Sequence, residues 1–206
     1  MALLLLWNCN SQRKMRIRMK IYLVCGIDHE SYENVEFSFH RNLHLAKKQA
    51  LQNIKDNVIA SGNAELSEDE IMQNTRMDLY KEMDNNYKRI NGTRCHSCDW
   101  ENPLPKVGVL SFYSNRILEV EVNDGDFLCI WHHAYQGIDI GILNIGTEED
   151  CITLAQKTSQ EDYENCEDAI DYEISEYKDR WCISFDDLVE WRVWSVIQFR
   201  EANIIE

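Results

Sequence analysis

The sequence predicts an α+β protein of antiparallel sheets, a hairpin and a β-meander packed with helices, in which a β-β-α order occurs twice. Three observations carry this. Period-2 apolar alternation recurs along the chain, capped helical stretches interrupt it, and the same hairpin-then-helix sequence opens both halves.

Ile21 to Cys25 form an apolar run, and Val35, Phe37 and Phe39 alternate with Glu36, Ser38 and His40, as a half-buried strand requires. Together they read as a hairpin. Asn42 then caps a helix carrying Leu43, Ala46, Ala50, Ile54 and Val58 at helical spacing. A second helix opens at Ser67 with Glu70 as its capping-box partner, and its stripe through Ile71, Thr75, Leu79, Met83, Tyr87 and Ile90 runs on to Gly92.

A loop follows, holding Cys95, Cys98 and the chain's two prolines, Pro103 and Pro105. The meander after it turns at Ser114-Asn115, Asp124-Gly125 and Gln136-Gly137. Leu118, Val120 and Val122 alternate with Glu119 and Glu121, then Ile138, Ile140 and Ile142 with Asp139. Thr147 and Asp150 make a third capping box before a short helix with Ile152 and Ala155, so the span from Phe127 repeats the order of the first module. A further helix from Ser159 carries Tyr163, Cys166, Ile170, Ile174 and Tyr177, with acids on its other faces. Ser184 and Asp187 open a short helix over Phe185 to Trp191, and Val193, Val196, Ile197 and Phe199 read as a closing strand.

These elements divide the chain into a leader (1–18), a β-β-α lobe with its second helix (19–92), a Cys-x-x-Cys loop (93–106) and a unit of meander, acidic helix and final strand (107–206). Leu3 to Trp7 is apolar but lacks a preceding basic region and is too short for a secretory signal. Met15 or Met19 reads as the natural start. Location in the cytoplasm follows as the expectation, and no apolar run reaches the roughly 20 residues of a membrane span, so no membrane partner is expected.

Charge narrows the functions. The formal net charge is -15, and the five basic residues Arg13 to Lys20 precede every acid, leaving 16 basic against 36 acidic residues from Ile21 onward. Such a chain repels phosphate backbones and is expected to bind no nucleic acid directly. A protein partner with a basic surface suits it better. Cys25 and Cys129 lie in strand-like runs and Cys166 on a helical stripe, where reduced thiols pack as small apolar groups.

Two constellations carry chemistry. Cys95 and Cys98 have the spacing of half a zinc tetrahedron, to be completed from residues such as His132 and His133. His132 and His133 stand at a hairpin end where an imidazole can also act as acid and base. No nucleophile, carboxylate pairing or phosphate cradle sits at a committing distance in sequence, so the chain reads as a non-enzyme. The leading expectation is an interaction or regulatory protein with an acidic binding surface formed by Glu164, Glu167, Asp168 and Asp171 and anchored by Trp181 and Trp191, acting as an inhibitor of a basic or nucleic-acid-binding partner. The alternatives are a small zinc-supported structural or binding protein using Cys95 and Cys98, and a histidine-dependent enzyme.

Overall fold

A computed structural model of the chain describes residues 18–27, 35–60, 67–73, 75–79, 94–101, 112–134, 138–185 and 191–206. The first lobe holds β1 (Met19–Ile27), β2 (Val35–His40), α1 (Leu43–Ala60), α2 (Glu68–Gln73), β3 (Thr75–Leu79), β4 (Arg94–Glu101) and β5 (Phe112–Val122). The second holds β6 (Phe127–Ala134), β7 (Ile138–Gly146), α3 (Glu148–Asn165), β8 (Ala169–Ile174), β9 (Arg180–Phe185) and β10 (Trp191–Gln198), followed by a 3-10 turn and β11 (Ile204–Ile205). The α+β expectation holds.

The two lobes share one topology. In the first sheet the order is β11-β2-β1-β5-β4-β3, and in the second β7-β6-β10-β9-β8. Leaving β11 and the short α2 aside, each lobe is therefore β-β-α-β-β-β with its strands ordered second, first, fifth, fourth, third. All ladders within a lobe are antiparallel. The repeated order seen in the sequence extends further than the hairpin and helix alone.

Alternation explains how the layers stack. Ile21, Leu23 and Cys25 of β1 join Leu118, Val120 and Val122 of β5, Leu128 and Ile130 of β6, and Ile140 and Ile142 of β7 in one buried cluster. That cluster is the seam where the two sheets pack face to face. Val24 and Ile117 point the other way, against Ala46, Ala50, Ile54 and Val58 of α1. Cys129 and Trp131 likewise pack with Cys151 and Ala155 of α3. The result is a four-layer α-β-β-α sandwich in which β1 and β6 are covered on both faces, which is why Ile21 to Cys25 and Phe127 to Trp131 read as unbroken apolar runs. Each fully buried Ile or Leu here contributes about 1.5–3 kcal/mol of transfer free energy.

The lobes are joined by a tight turn and closed by the chain's end. Asp126 N–H donates to the Asn123 carbonyl at 3.1 Å, and Gly125 supplies the φ of 89° that the turn needs. Phe199 then bonds the same turn twice, its carbonyl accepting from Gly125 N–H at 3.0 Å and its N–H donating to the Asp126 carbonyl at 2.8 Å. Beyond it β11 runs parallel to β2, and Phe199 packs edge-on to Phe39 at 5.2 Å between centroids. The last segment of the second lobe is thus an edge strand of the first.

The caps expected at Asn42, Ser67 and Thr147 are present: Asn42 Oδ1 accepts from Leu45 N–H at 3.0 Å, Ser67 N–H donates to Glu70 at 2.8 Å, and Thr147 Oγ1 accepts from Asp150 N–H at 3.2 Å. Several helix lengths differ from expectation. The second helix stops at Gln73, and Thr75 and Leu79 lie on β3; the Thr75 hydroxyl donates at 2.8 Å to the Ile71 carbonyl that a continuing helix would have given to the Thr75 N–H. Met83, Tyr87 and Ile90 lie outside the described residues. The helices expected after Thr147 and from Ser159 are one helix, α3, ending at Asn165; Ile170 and Ile174 belong to β8. Phe185 and Trp191 are strand residues, and the intervening part of the expected short helix is outside the described residues. The final strand through Val193 and Val196 is β10. The described helices include none long and apolar enough to cross a membrane.

Candidate functional site

Cys95 and Cys98 lie on β4, a strand, where the sequence suggested a loop. Residues three apart on a strand face opposite sides. Cys95 packs in the seam between the sheets, and Cys98 packs beneath α1. The two sulfurs therefore do not share a tetrahedron, which removes the geometric basis for a zinc site built on this pair. His132 and His133 diverge in the same way. His132 pairs with Ile140 of the seam, while His133 pairs with Arg192 on the α3 side and lies 6.3 Å from the Trp131 ring. Among the described residues no three His, Cys, Asp or Glu side chains gather as a metal cluster.

His132 is wholly buried, and neither ring nitrogen has a hydrogen-bond partner among the described residues. Burial, then the charges of Arg180 and His133, push its pKa down to about 3. Among the described residues this imidazole packs in the seam as a neutral, largely apolar ring.

Trp181 is also interior. It forms a row with Trp194 and Trp131, directly paired across β9, β10 and β6, all three buried under α3. It is a core residue, and the expectation that it anchors a partner is corrected. Trp191, at the start of β10, is half-buried.

The four predicted acids stand together on the outside. Glu164 lies on the last turn of α3, Glu167 and Asp168 in the turn after it, and Asp171 on β8, all exposed. Glu173, Glu176 and Asp179 are exposed in the same stretch of chain, in which nine acids and one base fall between Glu161 and Asp179. This stretch accounts for more than half of the chain's net charge.

Its frame is rigid. The Tyr172 ring stacks on Tyr163 of α3 at 5.3 Å, and its hydroxyl meets Ser159 Oγ at 2.9 Å. Arg192 of β10 donates to Asp162 of α3 at 3.1 Å and lies over the Phe185 ring at 4.9 Å. The turn from β8 to β9 is closed by Ser175, whose Oγ donates to Asp179 at 2.6 Å and accepts from Arg180 N–H at 3.2 Å, while Lys178 takes the left-handed φ of 54°. That turn holds Tyr177 out at 82% exposure, and Ile170 and Ile174 of β8 are 55% and 48% exposed. These three apolar residues were expected on a helical stripe facing the interior. The signal that identifies them is the alternation Ile170, Tyr172, Ile174, which fits a strand as well as the i, i+4 spacing fits a helix.

The class defined is thus a tandem α-β-β-α sandwich with an acidic edge that also bears exposed apolar side chains. Comparison with protein-family models, with curated proteins and with solved structures finds no match.

Proposed function

We propose that this protein is a non-enzymatic interaction or regulatory protein, and that its acidic face from α3 through the β8–β9 turn engages a partner with a basic surface. The observation that carries this reading is that Glu164, Glu167, Asp168 and Asp171 are all exposed in the same stretch of α3 and β8 as the exposed Ile170, Ile174 and Tyr177. Acids alone give long-range attraction that salt weakens, and apolar groups at the centre of a charged rim supply short-range affinity. A face of this charge competes with phosphate for a basic groove, so occlusion of a nucleic-acid-binding partner is the regulatory role that suits it.

The immobilised full chain, exposed to native extract at about 0.05 M and about 0.5 M salt, is expected to retain a basic protein at the lower salt and release it at the higher. A variant carrying Glu164→Gln, Glu167→Gln and Asp171→Asn is expected to retain it at neither. Retention that ignores both salt and these substitutions, or no basic protein retained at all, would overturn the reading.

A further inference from the structure

We propose that β8 is a docking edge, where the partner adds a strand whose side chains alternate basic and apolar. This rests on the acidic-face reading above and specifies how the face is used. β8 is the last strand of the second sheet and, among the described residues, pairs on one side only, with β9. The Tyr172 N–H donates to Asp171 Oδ1 at 2.9 Å, a contact an added strand must displace, and the other outward backbone groups of such an edge are a template for a further strand.

The register dictates what the added strand must look like. Asp171 pairs with Ser184 and Glu173 with Cys182, placing both acids on the sheet face that carries Cys182. Tyr172 pairs with Ile183 and Ile174 with Trp181, on the α3 face. A strand laid beside β8 therefore meets carboxylates on one face and apolar side chains on the other, at the roughly 5 Å spacing of cross-strand neighbours. Basic residues at every second position answer Asp171 and Glu173, and apolar ones between them answer Tyr172 and Ile174. Ile170 stands at the irregularity between Ala169 and Asp171, next to this segment, and is exposed. A second copy of the chain is a poor occupant. Antiparallel pairing of β8 with itself sets Asp171 and Glu173 against the same acids, and like charges directly opposite destabilise a ladder.

The test uses two labelled ten-residue peptides of identical composition, one alternating lysine and valine, the other with its lysines and valines in separate blocks. The alternating peptide is expected to bind the full chain at least about tenfold tighter by fluorescence anisotropy, and to slow hydrogen exchange at the Ile170 to Ile174 amides. The double substitution Ile170→Lys and Ile174→Lys, both at exposed positions, is expected to abolish that preference. Equal binding of the two peptides without protection of β8 would overturn strand addition and leave the acidic-face reading standing. Binding of neither peptide, with a salt-labile basic partner still retained from extract, overturns strand addition in the same way. Failure of the peptides together with failure to retain any basic partner removes both readings. Self-association of the chain that the lysine substitutions dissolve would assign the edge to a second copy and overturn the proposal.

Discussion

Arg192 on β10 holds Asp162 on α3 at 3.1 Å, and the pair occupies in the second lobe the place of Asn115 and Asn53 in the first, whose side-chain amides meet at 3.0 Å. The strand members correspond. Asn115 pairs with Gly26 on β1, and Arg192 pairs with His133 on β6, each beside the strand's outer end. Each lobe thus has a polar contact between its long helix and its fifth strand. Gly26 is part of the first contact, since a Cβ at that position would come within 2.5 Å of Asn115 Oδ1. Asp162→Ala leaves Arg192 partly buried beside an absent carboxylate and is expected to cost about 1–3 kcal/mol in urea unfolding, against about 1 kcal/mol for Asn53→Ala. Unchanged midpoints in both variants would show that neither contact couples helix to sheet.

Stability is expected to fall with acid through His132. Its folded-state pKa of about 3 lies below the ordinary value of 6.5, so the unfolded chain binds a proton that the native chain refuses. The associated stability is therefore complete above pH 6.5 and lost on descending from there towards pH 3, on the order of 1.4 kcal/mol per pH unit. His40, also lowered by burial, acts in the same direction. The substitution His132→Leu removes the titration. Between pH 7.5 and pH 4.5 the variant is expected to lose roughly 2–3 kcal/mol less than the parent, read from urea midpoints at each pH. Parallel pH profiles for the two proteins would exclude His132 as the acid-sensitive group.

Local chemistry in the sequence marks where helices begin, because Asn42, Ser67 and Thr147 cap through their own side chains within three residues. Where helices end is decided elsewhere. Ile170 and Ile174 satisfy both periods, and only pairing with β9 selects the strand. Thr75 and Leu79 are ambiguous in the same way and are settled by β4. With those two regions read as helix, the β-β-α opening and the last strand of each lobe were visible, and the third and fourth strands of the repeat were not. The acidic face was legible because charge needs no tertiary partner, whereas the apolar part of it was hidden by the wrong period. Cys95-His96-Ser97-Cys98 lacks an apolar alternation, so nothing short of the fold reveals that its two thiols serve opposite faces of one strand.

Thiol reactivity should follow the same layering. Cys25, Cys95, Cys98, Cys129, Cys151 and Cys182 are buried, and Cys166, at the end of α3, is partly exposed. Burial raises the Cys25 thiol, pushes Cys129 up to about 12 and raises Cys151 despite the hydrogen bonds that the Gly146 and Cys129 backbone and the Asn144 side chain offer its sulfur. Brief alkylation of the native protein at pH 8, read by peptide mass spectrometry, is expected to modify Cys166 first among these seven, the other six reacting only after denaturation. Early modification of Cys129 or Cys151 would show that α3 lifts from its sheet on the labelling timescale.

If the proposed face binds a partner, Tyr177 and Trp181 separate binding from folding within five residues of chain. Tyr177 stands out on the Ser175 turn, so its loss removes contact surface without opening a cavity. Tyr177→Ala is expected to change stability by no more than about 0.5 kcal/mol. It should nevertheless weaken retention of the basic partner, in keeping with the weight that aromatic side chains carry at interfaces. Trp181 is sealed between Trp194, Ile183 and α3. Trp181→Ala is expected to cost about 3–5 kcal/mol through the cavity it leaves, and Trp181→Phe less, with partner retention unchanged in the folded Phe variant. Denaturant midpoints and retention measured on the same preparations distinguish the two residues. If Tyr177→Ala destabilised the fold, or Trp181→Phe abolished binding while remaining folded, the assignment of one to the surface and the other to the core would be reversed.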